Sequence, residues 1–269
     1  ADDELAGIGI RSADSELQVR VAGRAGVAPD ADAVVLNVTA VDALAPGFLT
    51  VYPCGEQRPW ASNLNYDTGG IVANAVVARL SDDGDICIYT LSATHIVVDV
   101  AGFLPTGTVT PLATPQRLLD TRAEGPTADT QFSGIGQRPA MSTFALRVAG
   151  RAGVAPDAAV VVLNVTAVDA VGPGYLTVYP CGAPQPLASN LNFHPGGIVA
   201  NLVVANVGTN GDVCIYTHAA TDVVVDVTGA VPATTYAGLA APKRLLDTRP
   251  GGATADGQLG GTGLLPADS

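Results

Sequence analysis

The segment Ala33-Val-Val-Leu-Asn-Val-Thr-Ala-Val41 is rich in β-branched residues, and turn-forming residues bound it at Pro29-Asp30 and Pro46-Gly47. This composition predicts a β-strand. The segment returns with one substitution at 160–168, as part of a longer duplication in which residues 17–105 match 144–232 at about two positions in three, without insertion or deletion. The 269 residues are therefore expected to form two homologous modules, each long enough to bury its own core.

Further strand signals lie on both sides of this segment, separated by turn residues at roughly ten-residue spacing. In the first repeat they are 17–21, 47–53, 73–80, 85–90, 95–100 and 117–122. Seven short strands per repeat predict an all-β fold of two tandem seven-stranded β-sandwiches. A weak sub-repeat within each module leaves a β-prism or propeller-like arrangement as the alternative. Residues 104–116 are expected to form a linker because of their Pro, Thr and Gly content.

The duplication predicts three parts: a first β module at 1–108, a second at 109–235 and a strand-bearing C-terminal segment at 236–269. The sequence Arg-Leu-Leu-Asp-Thr-Arg occurs at 117–122, ahead of the second module, and again at 244–249. An unpaired sheet edge invites association. We therefore expect the C-terminal strand, within 240–252, to complete the first module. It would do so in the same molecule, or in another one, giving swapped dimers or filaments.

Composition excludes several classes of protein. The chain is 48% apolar, which excludes disorder, and it contains a single lysine, Lys243, unlike long-helix proteins. No stretch approaches the ~18 apolar residues of a membrane-spanning helix, so no membrane insertion is expected. The net charge of −12 excludes the phosphate neutralisation that dominates nucleic-acid affinity.

The four cysteines follow the repeat, at Cys54, Cys87, Cys181 and Cys214, so that the two in each module are 33 residues apart. Of three possible connectivities, the duplication favours one disulfide within each module. A zinc site is the weaker alternative because no Cys-x-x-Cys spacing occurs. Paired disulfides indicate an oxidising compartment. Together with an N-terminus, Ala1-Asp-Asp-Glu, that resembles a mature end after signal cleavage, they predict a secreted protein.

Five motifs in fixed order carry a resemblance to a known family. They are Arg-Leu-Leu-Asp-Thr-Arg, Val-Leu-Asn-Val-Thr-Ala-Val, Leu-Thr-Val-Tyr-Pro-Cys-Gly, Ala-Ser-Asn-Leu-Asn and Val-Val-Asp-Val-x-Gly. Over nearly its whole length the chain resembles the secreted repeat domain of actinobacterial cell-surface and extracellular proteins, in particular globular sporangium matrix proteins of filamentous actinomycetes. The resemblance implies a matrix or surface role without established catalysis. One departure is that the familiar order opens with the Leu-Asp-Thr-Arg strand, whereas this chain ends with one.

The repeat also bears on catalysis. Chemistry shared by both modules should recur at the same offset, but His95, His194 and His218 each align with a different residue type. No repeated general base is therefore available, and we expect neither an enzyme nor a cofactor. The turn Asp82-Asp-Gly-Asp85 loses two carboxylates in its copy, so a type I′ hairpin explains it better than a metal site.

Acidic residues interrupt apolar strands at Asp99 and Asp120, with copies at Asp226 and Asp247. Paired carboxylates are able to hydrolyse glycosides. The favoured interpretation is structural, because burying an unpaired charge is costly. The arginines expected to pair with these carboxylates include Arg122 and its copy Arg249.

Polar loops supply candidate ligand-binding residues. Ser62-Asn-Leu-Asn65 places two amides beside an aromatic ring, and the copy does the same. The candidates are Asn63, Asn65, Tyr66, Asn190, Asn192 and Phe193. They suit a sugar, although such amides also satisfy loop backbone groups. Trp60, the only tryptophan, is replaced in the copy and is expected to be a packing or surface residue.

The expected function is that of a secreted, non-catalytic structural or adhesive component of an extracellular, sporangium or cell-surface matrix, acting through assembly or matrix binding. The alternative is a carbohydrate-binding, lectin-like module that uses the Ser-Asn-Leu-Asn loops. The expected partners are matrix proteins, glycans or the protein itself, and not nucleic acid.

Overall fold

The computed structural model describes residue 5, residues 7–105, 110–186 and 188–231, and three short pieces at 250–251, 257–258 and 261. The regular elements in these ranges are β-strands. The first module contains β1 (Ser15–Arg20), β2 (Ala31–Val41), β3 (Gly47–Pro53), β4 (Leu64–Tyr66), β5 (Ile71–Arg79), β6 (Asp85–Thr90) and β7 (His95–Pro105). The second contains β8 (Thr110–Asp120), β9 (Ser142–Arg147), β10 (Val160–Val168), β11 (Gly174–Pro180), β12 (Leu191–Phe193), β13 (Ile198–Asn206), β14 (Asp212–Thr217) and β15 (Asp222–Val231).

Each module is a sandwich of two antiparallel sheets. In the first, a sheet of order β1-β6-β3-β4 faces one of order β5-β2-β7. In the second, β9-β14-β11-β12 faces β8-β15-β10-β13. The prediction of two tandem all-β sandwiches is confirmed, and the chain does not adopt the prism or propeller arrangement.

The predicted linker at 104–116 is wrong. Strand β7 continues through Pro105, and β8 begins at Thr110, opposite Ala230 of β15. Strand β8 is the outer strand of its sheet, so one of its sides has no neighbouring strand. A proline whose nitrogen faces that side costs the sheet no hydrogen bond, because none is formed there. Pairing with β15 therefore stabilises a strand that the Pro, Thr and Gly content of this segment did not predict.

The strand count also changes at this point. Arg117-Leu-Leu-Asp120 lies in β8 and pairs with the second module, not with the first. The first module reaches seven strands through the short β4 instead, and the second contains eight.

Alternating side chains build both cores. On β2, Val34, Leu36 and Val38 are buried, whereas Asn37 between them is exposed, as expected for a strand with one face on the core. The core of the second module receives two further fully buried side chains from β8, Leu118 and Leu119. This addition is the main difference between the two cores.

The disulfides form within the modules, as predicted. Cys54 pairs with Cys87 and Cys181 with Cys214, so no cysteine in the described residues remains for zinc. The type I′ prediction for residues 82–85 is wrong, because only Gly84 has a positive φ, of 81°. Type I′ requires positive φ at two successive positions, so the strands are joined by a wider loop instead.

Candidate functional site

Asparagine side chains join the two modules. Asn74 of β5 is 3% exposed, and its amide donates to the Asn63 carbonyl oxygen (2.6 Å) and to Asn164 Oδ1 of β10 (3.2 Å). Its own Oδ1 accepts from the Leu202 backbone N–H (3.1 Å), and the Asn164 amide donates to the Ser62 carbonyl oxygen (2.5 Å). These buried, mutually satisfied amides fix how the first module meets the second at this point.

A cleft of about 640 Å³ opens beside this contact. The loop that follows Cys54 forms one wall, and strands of the second module form the other. Its lining residues include Phe48, Tyr52, Arg58, Trp60, Asn65 and Arg122. The cleft therefore combines aromatic rings, guanidinium groups and an amide.

Trp60 is the most exposed large apolar side chain in the described residues, with 84% of its surface accessible. Its backbone carbonyl accepts a hydrogen bond from Arg117 Nη2 of β8, so the loop is tied to the second module while the indole stays open to solvent. A large aromatic ring held in this way at a cleft is typical of a binding surface rather than of packing.

Aromatic rings continue from Trp60 along the first module. The Arg58 guanidinium carbon lies 3.6 Å from the Tyr89 ring centroid, a cation–π geometry, and Phe48 is 5.8 Å from the same ring. Burial, together with a hydrogen bond to Glu16, raises the pKa of Tyr52, so its phenol stays neutral and donates to that carboxylate. Side-chain contacts thus hold these rings in place, with Tyr52 and Tyr89 buried beneath the exposed Trp60 loop.

An arginine–aspartate network forms the base of the cleft. Asp120 is fully buried, and Arg122 binds it through two hydrogen bonds of 2.9 and 2.7 Å. Arg117 bridges Asp120 (3.0 Å) and Asp226 (2.9 Å). The bonds to Asp120 raise the pKa of Arg122, which stays cationic, whereas burial raises the pKa of Asp226 against the opposing effect of Arg117. Because arginines occupy these carboxylates, they are unsuited to act as a glycosidase acid–base pair.

Asn65 supplies an unsatisfied donor to the same cleft. Its Nδ2 atom is buried and has no hydrogen-bond partner among the described residues. Buried polar groups are nearly always paired, so an exception next to a cleft needs an explanation. A turn of the Asn65 side chain toward the cleft would bring this donor to a ligand oxygen.

The structure assigns most of the other predicted ligand-binding residues to the framework. Asn63 Oδ1 accepts from the Val51 N–H (2.7 Å), and Asn190 Oδ1 accepts from the Val178 N–H (2.8 Å). Both side chains therefore hold loops against neighbouring strands, which was the alternative interpretation of these amides.

The predicted aromatic partners are also framework residues. Tyr66 is buried, with its hydroxyl 2.7 Å from Thr90 Oγ1, and Phe193 lies in the second core. Asn192 is exposed but does not line the cleft. Among the six candidates, only Asn65 lines the cleft.

The expected buried ion pairs differ between the repeats. Asp120 and Arg122 pair as expected, and Asp226 is buried but is bound by Arg117. Asp99 does not fit the expectation, because it is exposed and has no ion-pair partner in the part of the chain that the structure describes. The last two members of the set, Asp247 and Arg249, lie outside the described residues.

Two cleft residues, Arg58 and Trp60, lie in a loop where the two repeats differ, so the requirement that a functional residue recur 127 positions later discards them. A site between two modules takes different residues from each, so recurrence is the wrong criterion for it. The divergence of residues 56–60 within an otherwise matching stretch was the available signal.

Within the described ranges, no group of three or more His, Cys, Asp or Glu side chains is placed to hold a metal ion. Those ranges also contain no helix with the length and apolarity needed to cross a membrane.

Comparison with family models and with curated proteins gives no match. Among solved structures, the N-terminal CBM22-1-CBM22-2 tandem domain of Xyn10C from Paenibacillus barcinonensis matches with a TM-score of 0.23 and 11% sequence identity. The match covers 83% of this chain and 91% of that chain. At that TM-score the likeness supports no conclusion about fold or function, so the function must be inferred from the cleft itself.

Proposed function

We propose that this protein is a secreted, non-catalytic adhesive component of an extracellular matrix, of the sporangium or cell-surface type, and that it binds matrix glycans in the cleft beside Trp60. The observation that carries the proposal is the juxtaposition of an 84% exposed indole with the unpaired buried amide of Asn65.

This pair of groups suits a sugar ring. A pyranose presents an apolar C–H face that packs on an aromatic ring, and hydroxyl groups around its edge that accept hydrogen bonds from amides and guanidinium groups. Arg58 and Arg122 offer such donors in the same cleft. Because the whole chain carries a net charge of −12, a neutral polysaccharide is favoured over a strongly anionic one.

The test uses the single tryptophan as its own reporter. Titration of the purified protein with soluble neutral polysaccharides should change Trp60 fluorescence saturably, and calorimetry should give the same affinity. Trp60→Ala should weaken binding by about 10- to 100-fold, the equivalent of ~1.4–2.8 kcal/mol. Trp60→Phe should keep part of the affinity, because it retains a ring.

The control is Leu44→Ala, because Leu44 is also exposed (67%) but does not line the cleft. Its affinity should match that of the wild type. Equal binding by Trp60→Ala and the wild type, or no saturable binding to any neutral or acidic glycan tested, would contradict the proposal.

A further inference from the structure

The outer edge of β7 is open in the described part of the chain. Strand β7 pairs with β2 on one side, whereas its counterpart β15 pairs with β10 on one side and β8 on the other. The exposures reflect this difference. Val97 is 46% exposed and its counterpart Val224 only 4%.

A groove of about 200 Å³ runs beneath this open edge. Its apolar lining includes Leu17, Val19, Val27, Ile96, Val98 and Val100. The corresponding volume of the second module is filled by β8, whose Leu118 and Leu119 are fully buried against the matching residues of that core. The groove, which Leu5 and Ile8 also line, is therefore the counterpart of the β8 position, and no strand fills it in the described part of the chain.

The acidic residues of β7 and β15 show the same difference. In the second module, Asp226 of β15 is 1% exposed and bound by Arg117 of β8. The equivalent Asp99 is exposed and unpaired among the described residues. The sequence offers the matching strand, because residues 244–249 repeat 117–122 without a change and place Arg244 where Arg117 stands.

The asparagine contact between the modules indicates which molecule supplies that strand. On the first module the contact uses Ser62 and Asn74, and on the second it uses Asn164. The copies of these residues at offset 127 are Ser189 and Asn201 on the second module, and the copy of Asn164 on the first module is Asn37.

These copies are present but unused. Asn37 is exposed in the middle of β2. The Asn201 amide donates to the Asn190 carbonyl oxygen, as Asn74 does to Asn63, but its Oδ1 has no donor among the described residues, whereas that of Asn74 does. The second module thus carries Ser189 and Asn201, the copies of the residues with which the first module contacts the second. The first module carries Asn37, the copy of the residue that they contact.

We propose that the first module binds a second copy of this chain, whose second module docks through Ser189 and Asn201 onto Asn37 and whose residues 237–249 enter the groove as the missing strand beside β7. Within one chain, β8 follows the first module and completes the second. By the same geometry, the segment after β15 completes the next molecule. The contact is heterologous and does not close on itself, so copies add head to tail into a filament.

The groove and the cleft beside Trp60 are different surfaces, so this inference goes beyond the proposed glycan binding and does not depend on it. Light scattering and sedimentation of the 269-residue chain should show a mass that rises with concentration. Leu245→Asp/Leu246→Asp should abolish the rise and leave glycan binding intact, whereas Trp60→Ala should do the opposite.

Complementation identifies the source of the strand. Asp99→Arg opposes Arg244 and should weaken assembly about tenfold or more, with the folded module unaffected because Asp99 is exposed. The charge swap Asp99→Arg/Arg244→Asp should restore assembly. Mixing Asp99→Arg with Leu245→Asp/Leu246→Asp should give heterodimers that stop at two copies, since only one intact groove and one intact strand remain.

Two outcomes overturn the proposal. One is a monomeric wild type at every concentration with residues 244–249 protected from hydrogen exchange, which would show that the strand closes its own first module. The other is assembly that Leu245→Asp/Leu246→Asp leaves unchanged. Leu44→Asp serves as the control for loss of an exposed apolar side chain and should assemble as the wild type does.

Discussion

Asp120 and Asp99 both interrupt apolar strands, but they lie in different environments. Asp120 is fully buried and bound by Arg117 and Arg122, whereas Asp99 is exposed without an ion-pair partner in the described ranges. Arg117 and Arg122 flank Asp120 along the chain and both bind its carboxylate, whereas no arginine stands near Asp99 in sequence. Local sequence therefore supplies the partners of Asp120, whereas Asp226, the copy of Asp99, receives Arg117 from the neighbouring strand β8.

The first prediction compares these two residues. Asp120→Ala should lower the free energy of unfolding of the second module by about 3–5 kcal/mol, because Arg122 loses its buried partner and Arg117 loses one of its two. Asp99→Ala should change the stability of the unassembled chain by less than about 0.5 kcal/mol. Urea unfolding at a concentration where the chain is monomeric measures both, and similar losses in the two variants would contradict the assignment.

At the scale of elements, the loop that follows β8 is fastened to the sandwich by one ion pair. Arg151 is 5% exposed and binds both oxygens of Asp129, at 2.7 and 2.8 Å, while also donating to the Leu118 carbonyl oxygen of β8 (3.0 Å). Arg151 also lies over the Phe132 ring, 4.9 Å from its centroid. These contacts hold the loop against the strand that distinguishes the second module.

This ion pair predicts a pH dependence. The hydrogen bonds from Arg151 lower the pKa of Asp129 in the folded state. Its stabilising contribution is therefore complete above the unfolded-state pKa of about 4 and is lost as the pH falls through the lower folded-state pKa. The stability difference between wild type and Asp129→Asn should shrink below about pH 4. Unfolding free energies measured across that range check this, and a constant difference would refute it.

Strands β7 and β15 show how one added element changes a sheet. Their sequences agree closely, but the inward residues of β7 are only half-buried and those of β15 are fully buried. A strand between two neighbours is hydrogen-bonded on both edges, whereas a strand at a sheet edge leaves one row of N–H and C=O groups open. Strand β8 therefore contributes both apolar volume and charge pairing to its module.

At the scale of the whole molecule, the asparagine contact between modules has an unused duplicate, formed by Asn37 on the first module and Asn201 on the second. Asn74→Ala should weaken the coupling between the modules, because it leaves Asn164 Oδ1 and the Leu202 N–H without a partner. Asn201→Ala should leave that coupling intact and weaken assembly instead.

Calorimetry and light scattering separate these two effects. We expect two resolved unfolding transitions for Asn74→Ala and an unchanged profile for monomeric Asn201→Ala, which should assemble about tenfold more weakly. If Asn201→Ala assembled as the wild type does, the contact between copies would differ from the contact between modules.

Much of this architecture is determined by sequence alone. The β-branched runs at 33–41 and 160–168, their period and the paired cysteines are local or repeated features, and they were enough to predict two all-β modules, each with one disulfide. The proline-containing start of β8 was wrongly assigned to a linker, because long-range pairing with β15 stabilises it against its own propensity, and the short strand β4 was not among the seven strands counted.

The tertiary structure alone decided which residues have a function outside the core. Asn63 and Asn65 are two positions apart in one motif, but one satisfies a strand backbone and the other faces a cleft with an unpaired amide. Trp60 and Arg58 differ from their copies and became significant only when the second module was placed beside them. The physical reason is that a sequence repeat specifies two equal modules. A site between modules and an open sheet edge depend instead on the neighbours of each module, and those neighbours differ.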